Sequence, residues 1–479
     1  MDFNFDWANY IKKTLGFCKK YIDNLLKFKK KYYIIVRYCF FGGLKLTTVL
    51  IIFAISCIAL ITLIFAKPGI TIKNKQISIY WVAPLVGAIA VTAFGFISPS
   101  EIWAGLANDS DVNPFKILIL FFSMTFLSIY LDEAGFFKAA ASTVLKKAKS
   151  SQKTLFVLLY ITVSILTIFT SNDIIVLTFT PFICYFCKNA KINPLPYLFC
   201  EFIAANTWSM VLIIGNPTNI YLASSAGASF LEYTSIMLLP TVFAGLASFL
   251  ILVLLFRKSL NAPISKQISS SYNMNKPQAI LGGLHLAVCT VMLAIASYIN
   301  LPMWIISFVA AISLCISDAI LTLVSKNSLG MIKKSASRIP FELFPFTISM
   351  FILVLALDKT GALGMAAGFL SKGNSMFKFE FFSVLSSNIV NNIPMSVMFS
   401  SITGALVDSA SYTGSLYASI IGSNIGAFLT PIGALAGIMW IGLLKKQNVE
   451  MSFTKFTKYG ATIAIPTMTA AFFGLNLAL

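Results

Sequence analysis

Apolar stretches follow one another along this chain, cut by short polar loops. About 20 apolar residues in a helix cover a hydrocarbon core of about 30 Å. Runs of that kind predict spans at about 47–66, 79–98, 115–137, 196–214, 234–256, 279–299, 302–324, 341–357, 412–429 and 457–477. Two regions depart from the pattern. Residues 155–169 and 174–187 are apolar pieces near 15 residues long that flank Ser171-Asn172-Asp173. Each is short for a crossing, so residues 154–188 are predicted to be a re-entrant helical hairpin with the polar triplet at its tip. A second hairpin is predicted over 379–407, with Asn391-Asn392 at its tip. The expected fold class is an all-α polytopic membrane protein with about 10–11 transmembrane helices plus these two hairpins.

The pattern occurs twice. Ser123 to Gly135 (SMTFLSIYLDEAG) aligns with Ser349 to Gly361 (SMFILVLALDKTG), and Asn206 precedes Gly215 by nine residues as Asn424 precedes Gly433. The offsets are 226, 220 and 218 residues for the Asp, the hairpin Asn and the span Asn. Counting spans gives the two copies opposite directions, an inverted-topology repeat of the kind that supports alternating access. The expected division is a basic amphipathic arm (1–46), a first repeat (47–257), a cytoplasmic linker (258–278) and a second repeat (279–479). In the arm, Trp7, Ile11, Leu15, Cys18, Ile22 and Leu25 make a helical stripe with the lysines off it, which predicts an interfacial helix on anionic lipid.

Lys and Arg test this topology. The loops 138–153, 188–191, 257–276, 326–338 and 445–458 carry 19 of them, and 100–114, 215–233, 300–302 and 359–378 carry three. The first set should face the cytoplasm, so the first hairpin opens from inside and the second from outside. Ten spans would then leave the ten Lys and Arg of residues 1–46 outside, unless residues 32–46 add a short crossing.

Composition agrees. The chain of 479 residues is 58% hydrophobic and 11% charged, outside the range of a soluble domain. A net charge of +19 would suggest nucleic acid in a soluble protein; here the lysines lie in loops and in the arm, so the expected partner is the lipid bilayer and no nucleic acid. The localisation implied is the plasma membrane. The eight Cys form no paired framework, and Cys184-x-x-Cys187 lacks the βαβ setting of a redox motif. No small-residue cleavage site follows the first apolar run, so no signal peptide is expected. No P-loop, HExxH or Asp-rich prenyltransferase pattern is present, so no enzyme activity, metal or resident cofactor is expected, and ATP would act only through a separate subunit.

The candidate chemistry lies where the helices break. Ser171, Asn172, Asn391 and Asn392 offer neutral oxygens and amides at the tips. Gly215 and Gly433 let the backbone turn, and Pro217 and Pro431 each withdraw an N–H and free a carbonyl. With Asn216, Thr218 and Thr430 they make a small-ion or substrate cage, since helix ends at a midplane cavity present N–H to anions and C=O to cations. Small polar residues also serve helix packing in membranes, but two matched pairs of such motifs favour the site. Asp132, Asp173, Glu201 and Asp358 are the candidates for coupling a proton or Na+. Asp132 and Asp358 are equally readable as surface caps of helices, Asp318 as an interfacial acid, and His285 as structural.

These residues resemble the ion-transporter superfamily over nearly all of 47–479. SIYLDEAGFFKAAA, the tip Phe169-Thr170-Ser171-Asn172-Asp173 with Leu177-Thr178-Phe179-Thr180-Pro181, and GSNIGAFLTPIGALAGIMW look most like the arsenite permease branch. The sodium–proton antiporter and citrate permease branches share much of this. Divalent anion–sodium symporters share the fold but carry Ser-Asn-Thr at both tips, where this chain has Ser-Asn-Asp and Asn-Asn-Ile. The resemblance implies one site at Ser171, Asn172 and the backbone near Gly215, and its mirror at Asn391, Asn392, Thr430, Pro431 and Gly433. The expected function is an ion-gradient-driven secondary transporter of a small anion or metalloid, arsenite permease-like. Alternatives are a sodium–proton antiporter moving cations, a sodium-coupled dicarboxylate or citrate transporter and, from another class, a channel or non-transporting scaffold. A homodimer and a separate ATPase subunit are protein partners left open.

Overall fold

The computed structural model describes residues 44–64, 69–72, 75–107, 113–148, 151–262, 264, 274–324 and 330–479. The expected N-terminal helix and the centre of the linker lie outside these residues. Among the described residues the framework is helical, as the apolar runs require, because a bilayer core leaves backbone N–H and C=O groups no partners but each other. The one departure is a two-stranded antiparallel ribbon, Gly69–Ile72 with Lys75–Ser78, between the first two spans.

Seven described helices are long and apolar enough to cross a membrane, and the bent pair Leu343–Lys359 and Ala362–Leu370 is an eighth. One of the seven, Gln152–Phe169, is a hairpin arm, longer than the sequence suggested. Three further crossings escape a length criterion: the short helix Val82–Ala93, and two spans broken midway, Leu195–Trp208 with Pro217–Ser225 and Tyr412–Leu429 with Leu435–Lys446. Counted this way there are ten spans and two hairpins.

Side-chain contacts show that the hairpins reverse. Tyr197 Oη donates to Gln152 Oε1 at 2.9 Å and Cys200 lies over the Phe156 carbonyl, so Leu195–Trp208 runs parallel to the first arm. Asn206 meets Asn172 and Glu201 meets Thr180, so the same helix runs antiparallel to the second arm, Asn172–Ala190. In the second hairpin, Ser375–Val390 with Asn392–Gly404, Phe379 near the start of one arm packs edge-on against Phe399 near the end of the other at 6.1 Å.

The repeat is inverted in space as well as in count. The last spans of the two halves, Phe230–Leu260 and Phe453–Ala478, form the most extensive helix pair among the described residues. Phe243 meets Phe473 and Phe256 meets Tyr459, so the two helices are antiparallel. Local turns are copied too. Gly135 and Gly361 both have φ above +80° (85° and 81°), and both N–H groups bond 2.8 Å to the carbonyls of Asp132 and Asp358. Only glycine takes that conformation cheaply, so each Asp-bearing span ends there and a separate helix begins. The lysine-rich segment after Gly135 is therefore helical, over Phe136–Ala148.

Ion pairs join the halves with their signs exchanged. Glu133 and Asp132 grip Arg338 at 2.5 and 2.8 Å, and at the position matching Glu133, Lys359 grips Glu101 at 2.6 Å.

Candidate substrate and ion site

Each hairpin and each broken span stops being helical in its interior, and hydrogen bonds tie each hairpin to the broken span of its own half and the first break to the second broken span. In the first hairpin Ser171 is extended (φ −123°, ψ 143°), which ends one arm and starts the next. Asn172 then donates from Nδ2 to Asn206 Oδ1 at 3.0 Å, and its own Oδ1 accepts from the Asp173 N–H at 2.9 Å. Asn206 is held in turn by donating to the Phe202 carbonyl at 2.8 Å. Ser171, Asn172 and Asn206 are buried, whereas Asp173 is half-buried in the first turn of the second arm, at the positive end of its helix.

The first broken span ends one helix at Trp208 and starts another at Pro217, with a single tight turn at Ile213–Gly215 between them. A Cβ at Gly215 would collide with the Ser209 carbonyl, so only glycine lets the strand of backbone fold back there. Pro217 occupies a first-turn position where no N–H is needed. Asn216 caps this helix by accepting from the Thr218 N–H at 3.2 Å, and Asn219 donates to the Ser209 carbonyl at 2.8 Å.

The second half uses the same device with other side chains. Thr430 is extended and Gly433 packs on the Gly426 carbonyl, where a side chain would clash. The Pro431 carbonyl would lie 2.6 Å from a Cβ at Gly437, so glycine recurs where the chain re-enters the helix. Asn391 has φ +76°, caps the Ile393 N–H at 3.3 Å and donates to the Ile432 carbonyl at 2.9 Å. Thr430 donates to Asn388 Oδ1 at 2.6 Å, and Asn388 donates to the Gly426 carbonyl at 2.9 Å. Asn392 is buried with its side-chain oxygen unpartnered among the described residues.

The first break meets the second broken span at Asn424, which lies in the helix before the second break. Its Oδ1 accepts from Ser209 at 3.1 Å and from Asn216 at 2.8 Å, and its Nδ2 donates to Asn219 Oδ1 at 2.7 Å. Beside it Thr218 and Ser423 share a bond of 3.0 Å. All of these side chains are buried. No Lys, Arg or His occurs in 170–173, 209–219, 388–394 or 424–437. The chemistry available is thus neutral amides, hydroxyls and helix ends, with one carboxyl, Asp173.

The other expected acids go elsewhere. Asp132 is buried and pairs with Arg338 across the halves, and Asp358 is exposed at the end of its helix. Glu201 is fully buried below the tip, where Thr180 donates to both carboxylate oxygens at 3.2 Å and Trp440 of the other half donates at 3.3 Å. Asp318 is buried between helices and accepts from Tyr130 at 2.6 Å. His285 bonds the Leu281 carbonyl one turn back in its own helix and Ser313 on the neighbouring helix Met303–Val324. Cys184 and Cys187 are buried free thiols.

Ser209, Asn388, Ser423 and Asn424 were not singled out as site residues from sequence. Ser423-Asn424 repeats the dipeptide Ser171-Asn172, and Asn388 lies one turn before the second tip; both signals were available in the chain.

Comparison with known proteins agrees with this architecture. The profile of a family described as "Citrate transporter" matches residues 60–422. The "Arsenical pump membrane protein" of Escherichia coli strain K12 is 25% identical over 85% of this chain and 95% of its own length. The "46 kDa membrane protein" of Mycobacterium leprae is 26% identical over 82% of this chain and 92% of its own. Among solved structures, the YdaH transporter of Alcanivorax borkumensis superposes with a TM-score of 0.52 at 12% identity, covering 90% of this chain and 97% of that one, a likeness of fold.

Proposed function

This chain belongs to the citrate transporter family and is a multi-pass membrane transporter, and on that premise we propose that it moves a small neutral metalloid acid by alternating access, driven by an ion gradient. The observation that carries this reading is the set of uncharged donors and acceptors where the two broken spans meet, with Ser209, Asn216 and Asn219 of the first break on Asn424 and the first hairpin tip on nearby Asn206. A multiply charged anion such as citrate would lose its hydration there with no cationic side chain to replace it, a cost of several kcal/mol per charge at about the scale of a buried unpaired ion. A hydroxylated neutral solute exchanges water for amides and hydroxyls at small cost. The relatives named as arsenical pump membrane proteins support the same solute class.

In this reading Ser171, Asn172, Asn391 and Asn392 close on the solute from opposite membrane faces. Asn216, Thr218, Thr430 and the backbone about Gly215, Pro217, Pro431 and Gly433 complete the cage. Asp173 carries the coupling proton or sodium ion, and Glu201 stands as a second coupling group because Trp440 ties it to the opposite half. Neither role needs ATP.

The test is flux into liposomes that contain this protein alone. Arsenite or antimonite flux should saturate and follow an imposed proton or sodium gradient without ATP, while citrate and succinate fail to compete. Sodium-dependent proton movement with no metalloid flux would replace this reading with sodium–proton exchange. Saturable citrate flux would replace the solute class, and flux that never saturates would indicate a channel. Metalloid flux only after adding an ATPase subunit would remove the gradient from the mechanism.

A further inference from the structure

One buried acid takes no part in the junction. Glu380 is the sixth residue of the first arm of the second hairpin, which starts at Ser375, and is 1% exposed. Both of its carboxylate oxygens lack a hydrogen-bond partner among the described residues. A bare, unpaired carboxylate at such a place is untenable without a compensating cation.

The helix packed against this arm is Tyr412–Leu429. Gly414 faces Met376, and Gly422 faces Ser383 and the Glu380 carbonyl so closely that a Cβ there would clash. These two contacts fix a parallel register, and Glu380 falls between them, level with the stretch around Ala418. One turn from there Ser415 is fully buried, and its hydroxyl is also unpartnered. Two unmet polar groups thus sit on facing helices in a tightly packed, small-residue seam.

The first half shows that the position does not require an acid. The residue matching Glu380 at the hairpin offset of 220 is Tyr160. Its hydroxyl donates to the Gly245 carbonyl at 2.7 Å, lies 2.9 Å from Ser248 and accepts from Trp208 at 3.3 Å. A neutral, satisfied group in one copy is an ionisable, unsatisfied one in the other.

We propose that Glu380 and the Ser415 hydroxyl form a site for a small monovalent cation, a proton or sodium, in the second hairpin, separate from the tip of the first. This goes beyond the transport reading and needs no substrate. The other titratable groups on the surrounding elements are few. Lys378 on the same helix donates to the Phe369 carbonyl at 3.0 Å. Tyr412 and Tyr417 are on the facing helix, and Lys455, Lys458 and Tyr459 begin Phe453–Ala478, whose opposite end is the one that reaches Gly414. Asn392–Gly404 and Ala362–Leu370 carry none.

Dicyclohexylcarbodiimide, which adds to protonated carboxyls in apolar surroundings, reads this site directly. The purified full-length protein is labelled between about pH 6 and about pH 9, with sodium chloride or choline chloride, and adduct at Glu380 is measured by mass spectrometry; once the proton is lost, labelling should fall about tenfold per pH unit. Suppression by sodium but not choline identifies a site shared by sodium and protons, and indifference to sodium identifies a proton site. Adduct absent at every pH, or unchanged by both pH and sodium, overturns the proposal. Ser415→Ala should shift the sodium or pH dependence, and an unchanged profile removes Ser415 from the site. Asp173→Asn should leave Glu380 labelling as it is, which separates this result from the fate of the transport reading.

Discussion

The broken span of the first half passes through Gly215-Asn216-Pro217-Thr218-Asn219, and at the same positions the second half has Gly433-Ala434-Leu435-Ala436-Gly437. Both glycines pack on a backbone carbonyl, so the turn is shared. The polar reach is not. Asn216, Thr218 and Asn219 cross to Ser423 and Asn424, whereas the alanines and leucine of the second copy reach nothing polar in the first. Asn206, left without a cross-half partner, bonds the first hairpin tip instead. The tips differ in the same sense: Asp173 in one matches Ile393 in the other, and Asn388 in the second matches Ile168 in the first. Backbone geometry was thus kept in both copies while side-chain chemistry was divided between them. One copy keeps the titratable tip, and the other keeps the amide hub.

That division can be broken from either side. The largest effect is expected at the tips. Asp173→Asn should abolish gradient-driven flux while Ile393→Leu keeps it; equal coupling in both variants, read in liposomes under an imposed gradient, would show that the tips are equivalent. Next come the hub residues. Asn424→Ala strands three partners and Asn206→Ala strands one, so the losses of stability should be about 3 kcal/mol or more against about 1. Thermal unfolding of the purified protein measures this, and equal losses would end the claim that one half carries the junction.

The turns should respond alike. Gly215→Ala and Gly433→Ala each push a methyl into a carbonyl and should each cost about 2 kcal/mol. A neutral Gly433→Ala beside a damaging Gly215→Ala would show that even the backbone geometry is not shared.

The smallest effect belongs to the exposed ion pair. Hydrogen bonds from Lys359, then from Ser98, hold the Glu101 carboxyl down to about 2. A depressed carboxyl contributes its stability above its ordinary titration range and loses it as pH falls towards about 2. Lys359→Ala should therefore return Glu101 to ordinary carboxylate titration in isotope-edited infrared spectra, with hardly any change in unfolding temperature near neutral pH because exposed pairs contribute little. An unmoved titration would mean that Lys359 is not the cause.

The hairpins and breaks were legible because membranes restrict backbone so severely. A Ser-Asn-Asp or Gly-Asn-Pro inside an apolar run has few explanations, and its recurrence at a matching offset leaves fewer. The acids were less legible. Asp132, Asp318 and Glu201 read alike along the chain, as carboxyls in or beside spans, yet one pairs with Arg338, one with Tyr130 and one with Thr180 and Trp440. Their partners come from helices far away in sequence. Nothing along the chain marks Glu380, which stands beside Lys378 at the start of the hairpin predicted over 379–407, where a charge can face water.

The sequence by itself determined the class, the doubled and inverted plan, and the places where helices stop, since hydropathy, Gly and Pro act within a few residues of where they stand. Only the tertiary structure decided that Asn424 gathers the first break and that Asp132 is tied to Arg338. It alone left Glu380 without a partner. Those outcomes depend on which faces of distant helices meet, and in a uniformly apolar chain no local pattern specifies that meeting.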